Sequence, residues 1–311
     1  MKPVRILGGG PAGSSAAIAA LREGSTVAII ERAKFPRHKV CGEFLSPAIA
    51  RALDNLGLSL CDRKPAQIRR MRICIGSADK SANLAESAYG LSRYRFDHWL
   101  WQSALQMGAT SVGHGAADII TTGRFARAPK GGRLFGFKAH FTGPSDNAVE
   151  LFFRGKAYVG INCIEDGITN VCGIAPEEDI RDIDLWLHRD PALRERVAPL
   201  TRSWDWIFTG PLTFGRQLVS TDGAFLAGDA LNFVDPFTGS GLLCAILTGS
   251  LAGQSAARGV SPDEYNRRCG RLLANPYGIS SFLRKMAATR LAPSMLRLSP
   301  ASLLFKYTRP A

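Results

Sequence analysis

Three glycines near the start of the chain are spaced to receive a phosphate. Gly8-x-Gly10-x-x-Gly13 follows a short apolar run, Pro3–Leu7, and opens an alanine-rich stretch, Ala12–Arg22, with a helical pattern. A second β-branched run, Thr26–Ile30, ends in an acid, Glu31, 18 residues beyond the last glycine. Strand, glycine turn, helix, strand and acid, in that order, are what dinucleotide binding requires. Gly8 permits the tight turn. Gly10, with Pro11 and Ala12 behind it, lets a pyrophosphate approach the backbone, and Gly13 lets the helix pack close to the strand. The helix N-terminus adds unpaired N–H groups and about half a unit of positive charge. Glu31, followed by Arg32, is placed to accept from a ribose hydroxyl.

A second glycine cluster lies far along the chain. An apolar run, Gly223–Ala227, ends in Gly228-Asp229, and Asp235-Pro236-Phe237-Thr238-Gly239-Ser240-Gly241 then opens a long apolar helix near Ser240–Ala257. Between the clusters lies a proline-punctuated basic loop, Phe35-Pro36-Arg37-His38-Lys39, which leads into Cys41-Gly42-Glu43. Cys41 lies two residues after a lysine, which favours the thiolate; a buried structural thiol is the other reading. Glu43 is a weak candidate for a catalytic acid, against a plain role as cap or hydrogen-bond partner.

The elements that must position these groups follow from periodicity. Pro47–Leu56 reads as a helix, Arg69–Gly76 and Ser87–Leu91 as strands. Arg95–Met107 reads as an amphipathic helix with Phe96, Leu100, Ala104 and Met107 on one face. Thr110–Gly113 is a short strand. From Arg133 to Gly173 the period changes to two, and Leu134–Phe141, Val149–Phe153, Ala157–Cys163 and Thr169–Ile174 predict an antiparallel sheet. Asp179–His188 and Pro191–Val197 predict helices, and the chain beyond about Pro262 reads as helical and basic. The pattern is an α/β nucleotide domain carrying an inserted β-rich domain.

Composition narrows the class. With 46% hydrophobic and 21% charged residues over 311 positions, disorder and collagen-like repeats are excluded. The net charge is +13, yet nine cations and no acids follow Glu264. The excess is local, which argues against nucleic acid as a partner. Those cations interleave with Leu, Met and Phe, a mixture suited either to an anionic membrane surface or to an amphipathic tail packed on its own protein. The seven cysteines form no Cys-x-x-Cys pair, so neither a metal site nor a disulfide framework is expected. The chain opens on a strand pattern and has no apolar run near the ~18 residues of a membrane span. The expectation is a cytoplasmic protein, peripheral to the membrane if the tail docks there.

Read together, these segments resemble the FAD flavoproteins of the para-hydroxybenzoate-hydroxylase type, and among them the geranylgeranyl-reductase-like branch. The supporting blocks are Gly8–Gly13, Phe35–Pro47, Ser92–Asp97, Gly136–Phe141, Tyr158–Gly160, Gly210–Leu212 and Gly228–Gly241, collinear over residues 1 to about 260. The resemblance implies a Rossmann-like FAD-binding domain from residues 1–60, 92–130 and 215–260. It implies an antiparallel-sheet substrate domain from 61–91 and 131–214, and a helical basic region at 261–311. It implies that Asp229 bonds the ribityl chain, and that backbone N–H groups of Gly239, Ser240 and Gly241, after Pro236, face the flavin pyrimidine. Arg93 and Lys39 are expected to approach the FAD, and Cys41, Gly42 and Glu43 to run past the isoalloxazine ring. NADH or NADPH would act as a transient reductant, since no second dinucleotide motif exists.

Two departures stand out. Asp118–Gly132 holds no Asp-Gly or Ala-x-Gly element, so part of the usual FAD-covering sheet is expected to be missing. Leu231 stands where a small residue is usual, and is expected to crowd the ring or pack near it. Two chemistries stay open: hydride transfer to a carbon–carbon double bond of an apolar isoprenoid or polyketide-like substrate, or hydroxylation of an aromatic or unsaturated one through a C4a-hydroperoxide. A non-catalytic flavin-binding role is a third possibility. Trp204-Asp205-Trp206-Ile207 also invites a flavin-dependent halogenase reading, but Phe208 and Thr209 depart from Trp-x-Trp-x-Ile-Pro. Trp204, Trp206 and Phe208, with Tyr158, line the substrate cavity or belong to the core. His114, His140 and His188 are expected to be core or surface residues.

Overall fold

The computed structural model describes residues 3–124, 133–216, 223–234 and 239–273. The chain begins β1 (Val4–Leu7), α1 (Pro11–Arg22), β2 (Val27–Ile30), β3 (Phe44–Leu45), α2 (Pro47–Asp54), β4 (Ala66–Ile75), β5 (Ala78–Gly90), α3 (Arg93–Gln106), β6 (Thr110–Val112) and β7 (Ile119–Ile120). It continues β8 (Leu134–Thr142), β9 (Ala148–Arg154), β10 (Ala157–Cys163), β11 (Thr169–Pro176), α4 (Glu177–Ile180), α5 (Ile183–Leu187), α6 (Pro191–Val197) and β12 (Thr201–Thr209). The short strands β13 (Gly215–Arg216), β14 (Phe225–Leu226) and β15 (Asn232–Phe233) lead to α7 (Gly241–Ala257), and residues 262–273 are helical.

Two sheets divide the work. Five parallel strands in the order β14-β7-β1-β2-β6 carry the first glycine turn at the end of β1. Parallel strands need crossovers, and the alanine-rich α1 supplies the first. It lies against α7 at close range, because Cβ atoms at Gly249 and Gly253 would stand 2.2 and 2.1 Å from the carbonyl oxygens of Ala12 and Ala16. One core joins this sheet to α1, α2, α3 and α7 around Ile6, Ile18, Ile29, Phe96 and Ile246.

The larger sheet has eight strands in the order β12-β8-β11-β10-β9-β4-β5-β3, all antiparallel except the β4–β9 pair. A second core packs Phe137, Phe152 and Ile161 against Trp186, Leu193 and Val197 of the short helices. A third gathers Ile68, Met71, Phe153 and Tyr158. β7 is two residues long and is followed by 121–133, so no further strand intervenes among the described residues before β8.

Some sequence expectations need correction. The two strands expected at Arg69–Gly76 and Ser87–Leu91 are one long hairpin, turning at Gly76 (φ +56°). Over residues 79–87 one face is polar and exposed and the other only half-buried, around Ala82 and Leu84, so the apolar alternation is weak. Asp179–His188 is not one helix: Asp182 accepts from Leu185 N at 3.1 Å and starts a new one. Residues 201–209, read as isolated aromatics, form the edge strand β12.

Candidate cofactor site

The first glycine turn is built by what its backbone touches. Gly8 has φ +105° and donates to Ile30 O at 2.8 Å, tying the turn to the end of β2. A Cβ there would stand 2.6 Å from Thr121 O, and one at Gly13 only 1.8 Å from Gly8 O. Thr121 Oγ1 donates to Leu7 O and Gly8 O, at 3.0 and 2.8 Å, from the end of β7. Gly10 differs: its nearest neighbour in that direction is Lys39 Nζ, 3.8 Å away. The space over Gly10 is therefore open and faces a cation. No side chain caps α1 and its first turn holds no acid, so its N–H groups and dipole remain available to an anion.

Glu31 stands beside this opening. Its Oε2 accepts from Gly9 N at 2.8 Å and its Oε1 from Ala33 N at 2.7 Å. Each oxygen keeps a lone pair, so the carboxylate is fixed in place and can still accept. Arg37, not Arg32, approaches it, at 3.7 Å; Arg32 is exposed.

The second glycine turn is brought to the first. Gly228 (φ +61°) would, with a Cβ, stand 2.9 Å from Ala12 Cβ, and its N–H donates to Thr248 Oγ1 of α7 at 2.9 Å. Asp229, next in the chain, is half-buried. Burial raises its carboxyl pKa, and Arg93, Lys39 and Arg124 partly offset the rise. Gly239 (φ +64°) and Ser240 lead into α7, whose first turn holds no acid, and Gly241 has open space where a Cβ would lie. Pro236 lies outside the described residues. Leu231 packs into the first core.

Charges crowd this junction. Arg93 forms a two-point pair with Asp97, at 2.6 and 2.7 Å, and Lys39 reaches the same carboxylate at 3.9 Å. Burial and the nearby Arg93 lower the Lys39 amine to about 8 against the pull of Asp97. Arg124 donates to Pro211 O and Thr209 Oγ1, at 2.8 and 2.6 Å. An excess of cations around an open helix N-terminus is a setting for a polyanion, and the residues present fit the pyrophosphate of FAD.

The segment Lys39–Phe44 lies between this junction and the large sheet. Asn170 Nδ2 of β11 donates to Cys41 O and Gly42 O, at 3.2 and 2.9 Å. Glu43 N donates to Cys41 Sγ at 3.3 Å. Glu43 itself is fully buried with φ +52°. Its Oε1 accepts from Arg93 N at 2.7 Å and from Lys138 Nζ at 2.5 Å; its Oε2 bonds His140 Nε2 at 2.7 Å. Burial would raise this carboxyl, but the His140 bond and the Lys138 charge hold it below the ordinary value. Glu43 is thus an ionised acceptor with its oxygens taken, and a poor source of a proton.

The aromatic candidates do not gather. Trp204 is 48% exposed and lies tilted against His38, with ring centroids 4.3 Å apart. Phe208 is equally exposed. Trp206 points the other way, against Phe137 and Phe141, and donates its indole N–H to Asp184 at 3.0 Å. Register shifts on both sides of Trp204 break the alternation of β12. Tyr158 lies in the third core beside Phe153. Of the histidines, His140 joins Glu43 and His188 caps its own turn on Asp184 O. Sequence reasoning gave no site role to Lys138, Asp97, Thr121 or Arg124, and read His140 only as a core or surface residue. The available signal was a Lys and a His two residues apart on an otherwise apolar strand, hence on one face. Among the described residues no group of three or more His, Cys, Asp or Glu could hold a metal ion.

No family model matches the chain. It is 27% identical to digeranylgeranylglycerophospholipid reductase 1 of Methanopyrus kandleri, over 84% of this chain and 82% of that one. Its fold superposes on a flavin-dependent brominase bearing three substitutions with TM-score 0.80, at 17% identity, over 97% of each chain. It also superposes on a geranylgeranyl bacteriochlorophyll reductase-like protein of Thermoplasma acidophilum with TM-score 0.71, at 17% identity, over 98% of this chain and 89% of that one. The joined glycine turns and these similarities support an FAD-dependent oxidoreductase, one that resembles the geranylgeranyl-reductase-like enzymes.

Proposed function

We propose that the chain reduces carbon–carbon double bonds of an isoprenoid substrate, with NADH or NADPH as the source of electrons. The observation that carries this reading is the similarity to a reductase of geranylgeranyl lipid chains along most of both sequences. FAD, when bound and reduced, supplies hydride to one alkene carbon, and a proton completes the other.

The chain's own residues do the rest. The N-terminus of α1, Gly10 and Lys39 hold the pyrophosphate, and Glu31 accepts from the adenosine ribose. Asp229 would hold the ribityl chain, and the backbone N–H groups of Gly239–Gly241 would bind the pyrimidine edge, where the dipole of α7 would favour added negative charge. Glu43 stays ionised, so the proton comes from another group or from water. The exposed faces of Trp204 and Phe208 offer apolar contact to a long substrate.

The C-terminal cations would bring the protein to a lipid surface. Arg267 and Arg268 both pair with Glu264, at 2.7 and 2.8 Å, in the described helix; the six cations beyond Arg271 lie outside the described residues. Among those described, no helix is long and apolar enough to cross a membrane. Binding to anionic vesicles that falls with salt would support peripheral docking, and indifference at low salt would rule it out.

The test is direct. The purified protein should retain flavin, be bleached anaerobically by NADH or NADPH, and add two hydrogens per double bond to a geranylgeranyl lipid, read by mass. Incorporation of one oxygen atom in air would make it a monooxygenase. A flavin that never turns over would make it a carrier.

A further inference from the structure

Glu43, Lys138 and His140 form the most deeply buried charged cluster among the described residues, and neither phosphate binding nor hydride transfer uses it. Glu43 and Lys138 have no exposed side-chain surface, and His140 has 5%. A buried ion pair adds little net stability over apolar residues of the same volume. This one also holds Glu43 in a backbone conformation unfavourable to any residue with a Cβ. Its place explains its presence better than stability does. Glu43 follows the Cys41–Gly42 segment directly, and it precedes Phe44, whose ring lies 3.2 Å from where a Gly239 Cβ would stand. The cluster therefore backs the segment that faces the second glycine turn.

Glu43 and Lys138 balance one another, and His140 adds a charge only when protonated. An ionised carboxylate only accepts, so His140 gives it Nε2–H and keeps Nδ1 for a second proton. The groups that face His140 are few. Its own strand gives Lys138, the loop gives Glu43 and His38, β11 gives the neutral Asn170 and β12 gives Trp204. His38 meets His140 edge-on at 5.2 Å and stacks on the half-exposed Tyr94 at 4.8 Å. The buried His38 Nδ1 has no hydrogen-bond partner among the described residues, and so offers a step from the surface to His140.

We propose that these are positioning residues that compensate the charge of the reduced flavin: when FAD gains two electrons and one proton, His140 takes a second proton from solvent by way of His38, while Glu43 and Lys138 hold it in register. The proposal rests on the FAD-binding reading above. Negative charge arriving across the Cys41–Gly42 segment would raise the proton affinity of the nearby imidazole in a region of low dielectric, and protonation of His140 would add to the compensation that the α7 N-terminus gives.

The experiment counts protons. The FAD-loaded full chain is reduced anaerobically at an electrode through a mediator that carries electrons without protons, in weakly buffered solution with a pH indicator, and its potential is measured across neutral pH. The wild type should take up close to two protons per flavin while the absorption spectrum reports an anionic reduced flavin. His140→Gln should take up one fewer. Its electron affinity should lose a tenfold change per pH unit, about 30 mV for a two-electron couple. His38→Gln should keep the stoichiometry and slow the uptake. A wild type that takes up a single proton, or that forms a neutral reduced flavin, overturns the proposal without need of any variant. Equal uptake in wild type and His140→Gln overturns it as well. A protein that retains no FAD overturns the earlier reading, and this one with it.

Discussion

The glycine cradle and the Glu43 cluster work by opposite means. At the cradle, function comes from side chains that are missing. Gly10 leaves open space before Lys39, and Gly8 and Gly13 have no room for a Cβ. At the cluster, it comes from side chains that water cannot reach: a carboxylate, an ammonium and an imidazole gathered from residues 95 and 97 positions apart. The cradle tolerates emptiness because a ligand fills it. The cluster must be complete before any ligand arrives, because each of its charges is costly alone.

Breaking either region should show this contrast, and the largest effect belongs to the cluster. Glu43→Gln leaves Lys138 buried without its counter-charge and should cost about 3–5 kcal/mol in denaturant unfolding. Adding Lys138→Met should recover much of that loss. A single variant as stable as the wild type would mean the cluster holds nothing. Next comes Gly13→Ala, whose methyl meets backbone and not a flexible side chain; about 1–3 kcal/mol of stability and all flavin retention should go. Gly10→Ala is the matched control. Its Cβ has room, so the melting temperature should hold while FAD binding weakens; equal damage at both positions would erase the distinction between packing and ligand approach.

A smaller loss is expected at the second turn. Asp229→Ala should weaken FAD by about 1.5–3 kcal/mol, the worth of a charge-assisted hydrogen bond, as read by equilibrium dialysis. Unchanged affinity with collapsed turnover would make Asp229 catalytic instead. The smallest effect is a slope. The Lys39 amine is lowered to about 8 in the folded, flavin-free protein, from 10.5. Between those values the unfolded chain binds more protons, so stability should rise with pH through that window. Below it Lys39 is charged in both states and the slope vanishes. Lys39→Met should remove the slope, and bound FAD should flatten it by keeping the amine charged. A flat apo curve in the wild type would mean that Lys39 is better solvated than its surroundings imply.

The sequence determined the cradle because its parts are local. Gly8, Gly10, Gly13 and Glu31 lie within one strand–helix–strand unit, and their spacing states the geometry that the backbone must take. The antiparallel strands from Leu134 to Ile174 were equally legible, since a period of two leaves a direct mark on the hydrophobic pattern. Tertiary structure alone decided the rest. Lys138 and His140 lie in a strand that reads as apolar, and nothing local links them to Glu43. The register shifts beside Trp204 turn Trp206 away from it, although two residues apart on a regular strand would share a face. Arg124 reaches Thr209 across 85 positions, and Thr121 locks the first turn from 113 positions away. A local pattern fixes which backbone shape a segment prefers. Which charges end up sharing one buried space depends on how the two sheets close over the loop between them, and that is set by packing summed over the whole chain.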